Sequence, residues 1–294
     1  MHVDFLVSLA SLGVGFVVGL TGMGGGALMT PILVLLFGIQ PLTAVSSDLV
    51  ASFVMKPIGG SVHLRKGTVN RELVRWLVTG SVPASFAGVF IIRALGGDHV
   101  ESRVKIALGV ALLIAASLIV VKALLQIQRD RDPAPEAPFK IRPVPTLLVG
   151  ALGGLVVGMT SVGSGSLIIV MLLFLYPSLK GAQLVGTDLV QAVPLVGAAA
   201  LGHFLFGDFK LGLTASLLIG AIPGVYVGAH ASVRAPDAVI RPALAFVLTA
   251  SAFKLVGMGN GPLAVALVPV AVACLGWGIA ARRVEVQPAP TAKT

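Results

Sequence analysis

Long apolar runs alternate with short polar stretches along this chain. Nine runs approach the ~20 residues of helix that cross a bilayer, and they cover 4–21, 42–63, 73–95, 104–125, 144–160, 182–206, 211–232, 239–256 and 262–281. Two further runs, 27–38 and 166–177, are shorter. At 1.5 Å per residue each reaches only ~18 Å of the ~30 Å hydrocarbon core. Because lipid cannot satisfy backbone polar groups, the pattern predicts an all-α polytopic membrane protein.

A cluster of glycines precedes each short run. The first lies in "GLTGMGGGAL" (19–28) and the second in "GMTSVGSGSL" (158–167). Gly22, Gly24 and Ala27 also fit the dinucleotide fingerprint G-x-G-x-x-A, but that motif needs a strand before it and a helix of a parallel sheet after it. The flanking sequence is too apolar for that context, so we interpret the clusters as breaks within membrane helices.

Composition agrees with a membrane protein. Of the 294 residues, 56% are hydrophobic and 11% are charged, and the mean hydropathy is +0.99, whereas a soluble domain carries roughly 25% charged residues. The net charge of +9 comes mostly from Lys and Arg in loops, as in membrane proteins, and does not indicate a nucleic-acid partner. Cys274 is the single cysteine, which rules out an intramolecular disulfide.

The two halves of the sequence repeat each other with an offset of about 140 residues. The glycine clusters align, "SDLV" (47–50) aligns with "TDLV" (187–190), and "GSVPASFAG" (80–88) aligns with "GAIPGVYVG" (220–228). Duplication of this kind is common among transporter folds. We predict a first transmembrane repeat over 1–125, a cytoplasmic linker over 126–143, a second repeat over 144–260, and a last helix with its tail over 261–294.

Lys and Arg distinguish between parallel and inverted halves, because cytoplasmic loops collect them. If each glycine-broken pair enters and leaves on one side, three spanning helices follow in each repeat and the second repeat is inverted. Fifteen of the 21 Lys and Arg residues then lie on the cytoplasmic side, five lie outside, and Lys56 lies within a helix. We therefore predict two inverted repeats and a final C-terminal helix, with the N-terminus outside.

The glycine breaks are candidate binding segments. A helix that starts after a break directs its N–H groups and the positive end of its dipole into the protein, where an anion can approach closely at glycine. Hydroxyls and an amide would orient its oxygens. The alternative is that these glycines only permit close packing, which we prefer for Gly80, Gly88, Gly220 and Gly228. The candidate substrate-binding residues are Thr21, Gly22, Gly24, Gly25, Gly26, Lys56, Thr160, Ser161, Gly163, Ser164, Gly165 and Gln191.

Ionisable residues within membrane helices are functional candidates. Asp48 and Asp188 occupy equivalent positions, where they either carry protons during transport or stabilise a helix start. Lys56 either provides a fixed counter-charge for an anion or extends its ammonium to the cytoplasmic surface; its equivalent in the second half is Val196. His63 and His203 also match, and they either handle protons or have a structural role.

No other chemistry is indicated. No Cys/His set has metal-ligand spacing, no serine triad stands in a nucleophile elbow, and no Walker motif is present. We expect no cofactor, no metal and no enzymatic activity.

Three segments together resemble the TauE/SafE sulfite-exporter family of the TSUP superfamily. They are "GLTGMGGGALMTP", "VSSDLVASFVMKPIGGSVHLRKGTV" and the second-half "VGTDLV". The resemblance covers both halves and implies a secondary transporter of small sulfur-containing anions, such as sulfite or sulfonates, in a bacterial inner membrane. Many members have Thr-Ser-Leu where this chain has Ser47-Asp48-Leu49 and Thr187-Asp188-Leu189.

The sequence leaves alternatives open. The substrate is either a sulfur-containing anion or another small anion such as a carboxylate. The chain is otherwise a channel, or a membrane assembly factor that transports nothing. The expected partners are a small anion and the lipid bilayer, and the sequence indicates no oligomeric state.

Overall fold

The computed structural model describes residues 4–21, 25–96, 99–131, 140–179, 181–206, 209–231 and 237–285. Within these ranges the protein is all-helical. Its helices are α1 (Phe5–Thr21), α2 (Gly26–Leu35), α3 (Pro41–Arg65), α4 (Arg71–Gly96), α5 (Val100–Arg131), α6 (Pro143–Thr160), α7 (Leu167–Leu175), α8 (Gly181–Leu205), α9 (Leu211–Ala231), α10 (Asp237–Leu255) and α11 (Asn260–Glu285).

The apolar pattern located these helices well. Each predicted run corresponds to one helix, and six helices (α4, α5, α6, α8, α9 and α11) are long and apolar enough to cross a membrane. Helix α3 contains Asp48 and Lys56, which lower its hydropathy, and α2 and α7 are short, as predicted. One boundary differs, because α5 continues through 126–131 into the predicted linker. The segment "QIQRDR" consists largely of good helix formers, so its polarity ends the apolar run without ending the helix.

The two halves interlock. Helix α1 packs along α9 of the second half, and α6 packs along α4 of the first half. Both contacts are close because glycines form them: a Cβ at Gly220 or Gly80 would collide with the backbone of the facing helix, at Ser8 or Leu147. The packing role expected for Gly80, Gly88, Gly220 and Gly228 is therefore confirmed.

Helices α3 and α8 occupy equivalent positions in the two repeats and run antiparallel where they cross. Ser46 near the start of α3 contacts His203 near the end of α8, whereas Gly60 near the end of α3 faces Val190 in the first half of α8. Inverted repeats require this geometry. The inverted arrangement and the direction of the chain across the membrane remain predictions.

Two apolar clusters form the core. Among the described residues, one joins α1, α2, α3, α5, α9 and α10, and the other joins α3, α4, α5, α6, α7 and α8. Each therefore combines helices from both halves. The last helix, α11, packs on α10, and the candidate span within it (Asn260–Ile279) has no buried residue.

Candidate functional site

The second glycine break is an irregular segment between α6 and α7. Helix α6 ends at Thr160, and Ser161 adopts a left-handed conformation with φ of 61°. Gly163 and Gly165 follow with φ of 130° and 93°, values that side chains other than glycine rarely tolerate. The strained Ser161 is held by its surroundings, a feature that often accompanies functional sites. This conformation turns the hydroxyls of Ser161 and Ser164 towards α3.

Two hydroxyl contacts attach this break to α3. The hydroxyl of Ser161 donates to Oδ2 of Asp48 at 2.5 Å. The ammonium of Lys56 donates to Oγ of Ser164 at 2.6 Å. Asp48 and Lys56 are eight residues apart on one helix, which separates their Cα atoms by about 12 Å along the axis. The break therefore follows α3 for two turns, with one charged side chain at each end.

The first glycine break meets the second at α2. Gly22 and Gly24 lie outside the described residues. Gly25 precedes α2 and Gly26 begins it, and a Cβ at Gly26 would collide with the carbonyl oxygen of Ser161. A Cβ at Gly25 would lie 3.8 Å from Oδ1 of Asp48. The two breaks are thus in direct contact, with Asp48 beside both.

Asp48 is fully buried, and only one of its two carboxylate oxygens is hydrogen-bonded within the part of the chain that the structure describes. Its Oδ2 atom accepts from Ser161 and, at 3.3 Å, from the hydroxyl of Thr30 on α2. Its Oδ1 atom is buried and has no hydrogen-bond partner among the residues that the structure describes. A buried polar atom without a partner is costly, which makes this oxygen a candidate position for a proton or a ligand.

Asp188 on α8 has a different set of neighbours. Its Oδ1 atom accepts from Nε2 of Gln191 at 2.9 Å, and the backbone N–H of Gly165 also hydrogen-bonds this carboxylate. Oε1 of Gln191 in turn accepts from the hydroxyl of Ser81 at 3.3 Å. Lys56 interacts electrostatically with both Asp188 and Asp48, and Lys122 on α5 interacts with Asp188.

The two candidate histidines differ in their surroundings. His203 is fully buried; its Nε2 atom donates to the carbonyl of Gly158 at 3.0 Å, and its Nδ1 atom contacts the hydroxyl of Ser46 at 2.9 Å. It thereby satisfies a carbonyl in the last turn of α6. His63 is half-buried at the end of α3, and its Nδ1 atom contacts the hydroxyl of Thr68 at 2.9 Å. The residue facing His63 is Gly186, the equivalent of Ser46, so the hydroxyl contact between helices that Ser46 makes with His203 has no counterpart at His63.

The remaining predicted residues lie at the helix ends that border the breaks. Thr21 is the last residue of α1, and its hydroxyl donates to the carbonyl of Val17 at 2.8 Å. Thr160 is the last residue of α6, and its hydroxyl donates to the carbonyl of Val156 at 2.6 Å. Both hydroxyls bond their own helix, which favours a structural role for these two threonines.

Three polar residues of this region were not predicted: Thr30, Ser46 and Ser81. Each bonds a predicted residue, yet each comes from a helix whose apolar pattern gave it no special weight. Thr30 lies in a continuous apolar run, and Ser81 lies in the block interpreted only as a packing contact. The signal available for Ser46 was its place beside Ser47 and Asp48. No group of metal-binding side chains occurs among the residues that the structure describes.

Comparison with known proteins establishes the family. The family model described as "Sulfite exporter TauE/SafE" matches residues 7–255. The chain belongs to the TauE/SafE family. It is therefore a multi-pass membrane transporter of the bacterial inner membrane, not an enzyme.

Relatives agree with that assignment. The probable membrane transporter protein YjnA of Bacillus subtilis is 37% identical over 252 residues, which are 85% of this chain and 98% of YjnA. The probable membrane transporter protein YdhB of the same organism is 25% identical over 243 residues, 81% of this chain and 94% of YdhB. No solved structure matches the chain significantly. The family match ends at the last residue of α10, so α11 lies beyond it.

Proposed function

We propose that this protein is a proton-coupled secondary transporter of small sulfur-containing anions such as sulfite or sulfonates. One observation carries the proposal. Lys56 is buried within a membrane helix, and its ammonium hydrogen-bonds Ser164 in a glycine break, not the membrane surface. A lysine that only extended to the cytoplasm would be directed away from this segment. A buried ammonium beside glycine backbone and hydroxyls is suited to an oxyanion.

The hydroxyl of Ser164 is available to such a ligand. Its oxygen accepts a hydrogen bond from the ammonium of Lys56. The hydroxyl proton of Ser164 therefore remains able to donate to a substrate oxygen. Ser161, Gly163 and Gly165 hold this hydroxyl in place through the conformation of the break. The first break carries glycines at the equivalent positions. We therefore place the anion on the side of α3 and the second break.

Charge balance supports coupling to protons. Asp48 and Asp188 are both buried near Lys56. An anion that enters beside two ionised carboxylates meets like charge in a region of low dielectric constant, which is costly. Uptake of a proton by either carboxylate removes part of that repulsion. Proton uptake and anion binding are then linked.

Flux measurements test this function. We expect proteoliposomes with the purified protein to take up labelled sulfite or a small alkanesulfonate, faster when a pH gradient is imposed. Asp48→Asn and Asp188→Asn should each reduce gradient-driven flux more than exchange at equal pH, because the anion site remains while proton uptake is lost. Lys66→Met, at an exposed position, is the matched control. Equal loss of both fluxes would favour the helix-start role for the acids.

The same assay separates the alternatives. Competition by small carboxylates, at concentrations where sulfonates do not compete, would assign the site to a carboxylate. Flux without saturation and without dependence on the gradient would indicate a channel. A purified protein that moves none of these anions would favour the membrane assembly factor.

A further inference from the structure

We infer that Asp48 and Asp188 exchange protons with opposite sides of the membrane, and that Lys56 pairs with each of them in turn. This inference rests on the proposed proton-coupled transport, and it adds a separate path and a separate side for each acid.

The positions of the acids along their helices carry the first step. Asp48 is seven residues after Pro41, where α3 begins, and Asp188 is seven residues after Gly181, where α8 begins. At 1.5 Å per residue each carboxylate lies about 10 Å from the start of its helix. Because α3 and α8 run antiparallel, those two starts are at opposite ends of the helix pair. The acids are therefore buried to similar depths from opposite faces.

Lys56 lies between the two acids. Gly59 and Gly60 of α3 face Leu189 and Val190 of α8, which brings Asp188 about one turn beyond Lys56 along α3. Asp48 lies two turns before it. Lys56 interacts electrostatically with both acids, yet its ammonium hydrogen-bonds Ser164 and neither carboxylate. Because Asp48 is about 12 Å away along α3, an exchange of partners requires Lys56 to leave Ser164 and to re-extend its side chain along the helix.

The charged and polar neighbours differ between the two ends. At the Asp48 end, the carboxylate of Glu101 on α5 accepts from the backbone N–H of Leu42, and His203 contacts Ser46, two residues before Asp48. The hydroxyls of Ser161 and Thr30 donate to Asp48 itself.

At the Asp188 end, Lys122 in the later part of α5 interacts with the carboxylate, which is also bonded by Gln191 and by the N–H of Gly165. Glu101 and Lys122 lie near opposite ends of the same helix. The contacts of α5 with Leu42 and with Asp188 thus agree, independently of the α3–α8 crossing, that the two acids lie towards opposite faces.

An exchange of partners by Lys56 follows from this arrangement. When Lys56 pairs with one carboxylate, that acid stays ionised, and the other acid, deprived of its counter-charge, takes a proton from its own side. When Lys56 moves to that acid, the acid releases its proton to its own side, and the acid that Lys56 has left takes a proton from the opposite side. The lysine therefore couples the protonation of one acid to the deprotonation of the other across the pair of helices.

Sided labelling of cysteines tests the inference and needs no knowledge of the substrate. In the Cys274→Ala background, Asp48→Cys and Asp188→Cys are treated with a membrane-impermeant thiol reagent in right-side-out and inside-out vesicles. Lys210→Cys marks the face near the end of α8, and Lys66→Cys marks the face at the end of α3. Phe53→Cys, on an exposed apolar part of α3, controls for entry through lipid.

We expect Asp48→Cys to react only from the Lys210 side and Asp188→Cys to react only from the Lys66 side. Reaction of both cysteines from one side, the opposite assignment, or no reaction from either side would overturn the inference.

If a cysteine variant is absent from the membrane, the Asn variants replace it, and flux is measured with the pH of each side set separately. Asp48→Asn should then lose its response to the pH on the Lys210 side only, and a response lost on both sides would contradict separate paths. If the wild type moves no anion, the proposed function fails, while the labelling pattern still decides the sidedness.

Discussion

Lys56 is the residue on which the proposed anion site depends most. An anion must lose much of its hydration to enter the membrane, and the positive end of a helix offers only about half a charge. The ammonium supplies a whole charge, and its hydrogen bond to Ser164 fixes that charge beside the second break. The equivalent residue in the other half is Val196, so the charge is present once and the site is asymmetric.

We expect Lys56→Met to weaken anion binding strongly, because the apolar stem is kept while the charge is removed. Lys56→Arg should be intermediate, since the guanidinium retains the charge but differs in shape and reach. Thermal stabilisation of the purified protein by sulfite or a sulfonate measures binding directly. Full stabilisation of the Met variant would contradict the role of Lys56 and leave the anion to the helix ends alone.

His203 stabilises the end of α6 at the second break. Its Nε2–H group is the partner of the Gly158 carbonyl, which lies in the last turn of a helix that stops at Thr160. His203→Leu removes that donor and leaves the buried carbonyl of Gly158 without it, whereas the Ser46 hydroxyl keeps its bond to the carbonyl of Leu42. The expected loss of stability is about 1–3 kcal/mol.

The matched control for this substitution is His63→Leu, because His63 is the equivalent residue and is half-buried with a single side-chain contact to Thr68. Unfolding temperatures in detergent should fall clearly for the His203 variant and little for the His63 variant. Equal shifts would show that His203 has no special part in holding α6.

At the scale of the elements, the contact between the two breaks is the feature to test. Helix α2 begins at Gly26, where a side chain would collide with the backbone of Ser161. Gly26→Ala therefore forces the breaks apart and disturbs the Ser161–Asp48 hydrogen bond. Overpacking of this kind costs about 1–3 kcal/mol, and we expect anion flux to be lost as well.

Gly13→Ala is a suitable control, because a Cβ at Gly13 of α1 meets nothing within 4 Å. Flux should be unchanged in this variant, and the unfolding temperature should not fall, because alanine favours the helix over glycine. A Gly26→Ala protein with normal flux would show that close contact of the breaks is not needed for transport.

The helices themselves were predictable from the sequence because bilayer thickness sets their length. Lipid demands continuous hydrogen-bonded helix, so each apolar run became one element, and runs too short to span became α2 and α7. The glycine breaks were predictable for the same reason, since glycines in an apolar run need an explanation. The helical end of α5 was not, because polarity marks the edge of the membrane and not the end of a helix.

The contacts between halves could not be read from the sequence. Periodicity shows which face of a helix is apolar, but not that α1 meets α9 or that α4 meets α6. The same limit applies to the site. Asp48 and Lys56 were identified as unusual charges, whereas their pairing with Thr30, Ser161 and Ser164 depends on how distant segments meet. The pairing of Ser46 with His203 spans 157 residues, and no local pattern indicates it.

For the whole molecule, the direction of the chain across the membrane is the central prediction. Positive residues collect in cytoplasmic loops, and the inverted model assigns fifteen Lys and Arg residues to that side and five to the other. The antiparallel contact of α3 with α8 is the geometry that this model requires. Lys66, at the end of α3, should then be cytoplasmic, and Lys210, just before α9, should be periplasmic.

Single cysteines at these two positions in the Cys274→Ala background decide the topology in whole cells. Both side chains are exposed, so an impermeant thiol reagent should modify Lys210→Cys in intact cells and modify Lys66→Cys only after the membrane is permeabilised. The parent Cys274→Ala protein should show no labelling, which controls for other reactions. Because α8 begins close to the end of α3 and runs back along it, the two positions lie at opposite ends of one antiparallel pair. Labelling of both cysteines from one side would therefore contradict the inverted model together with the antiparallel crossing, and labelling in the reverse order would place the N-terminus in the cytoplasm.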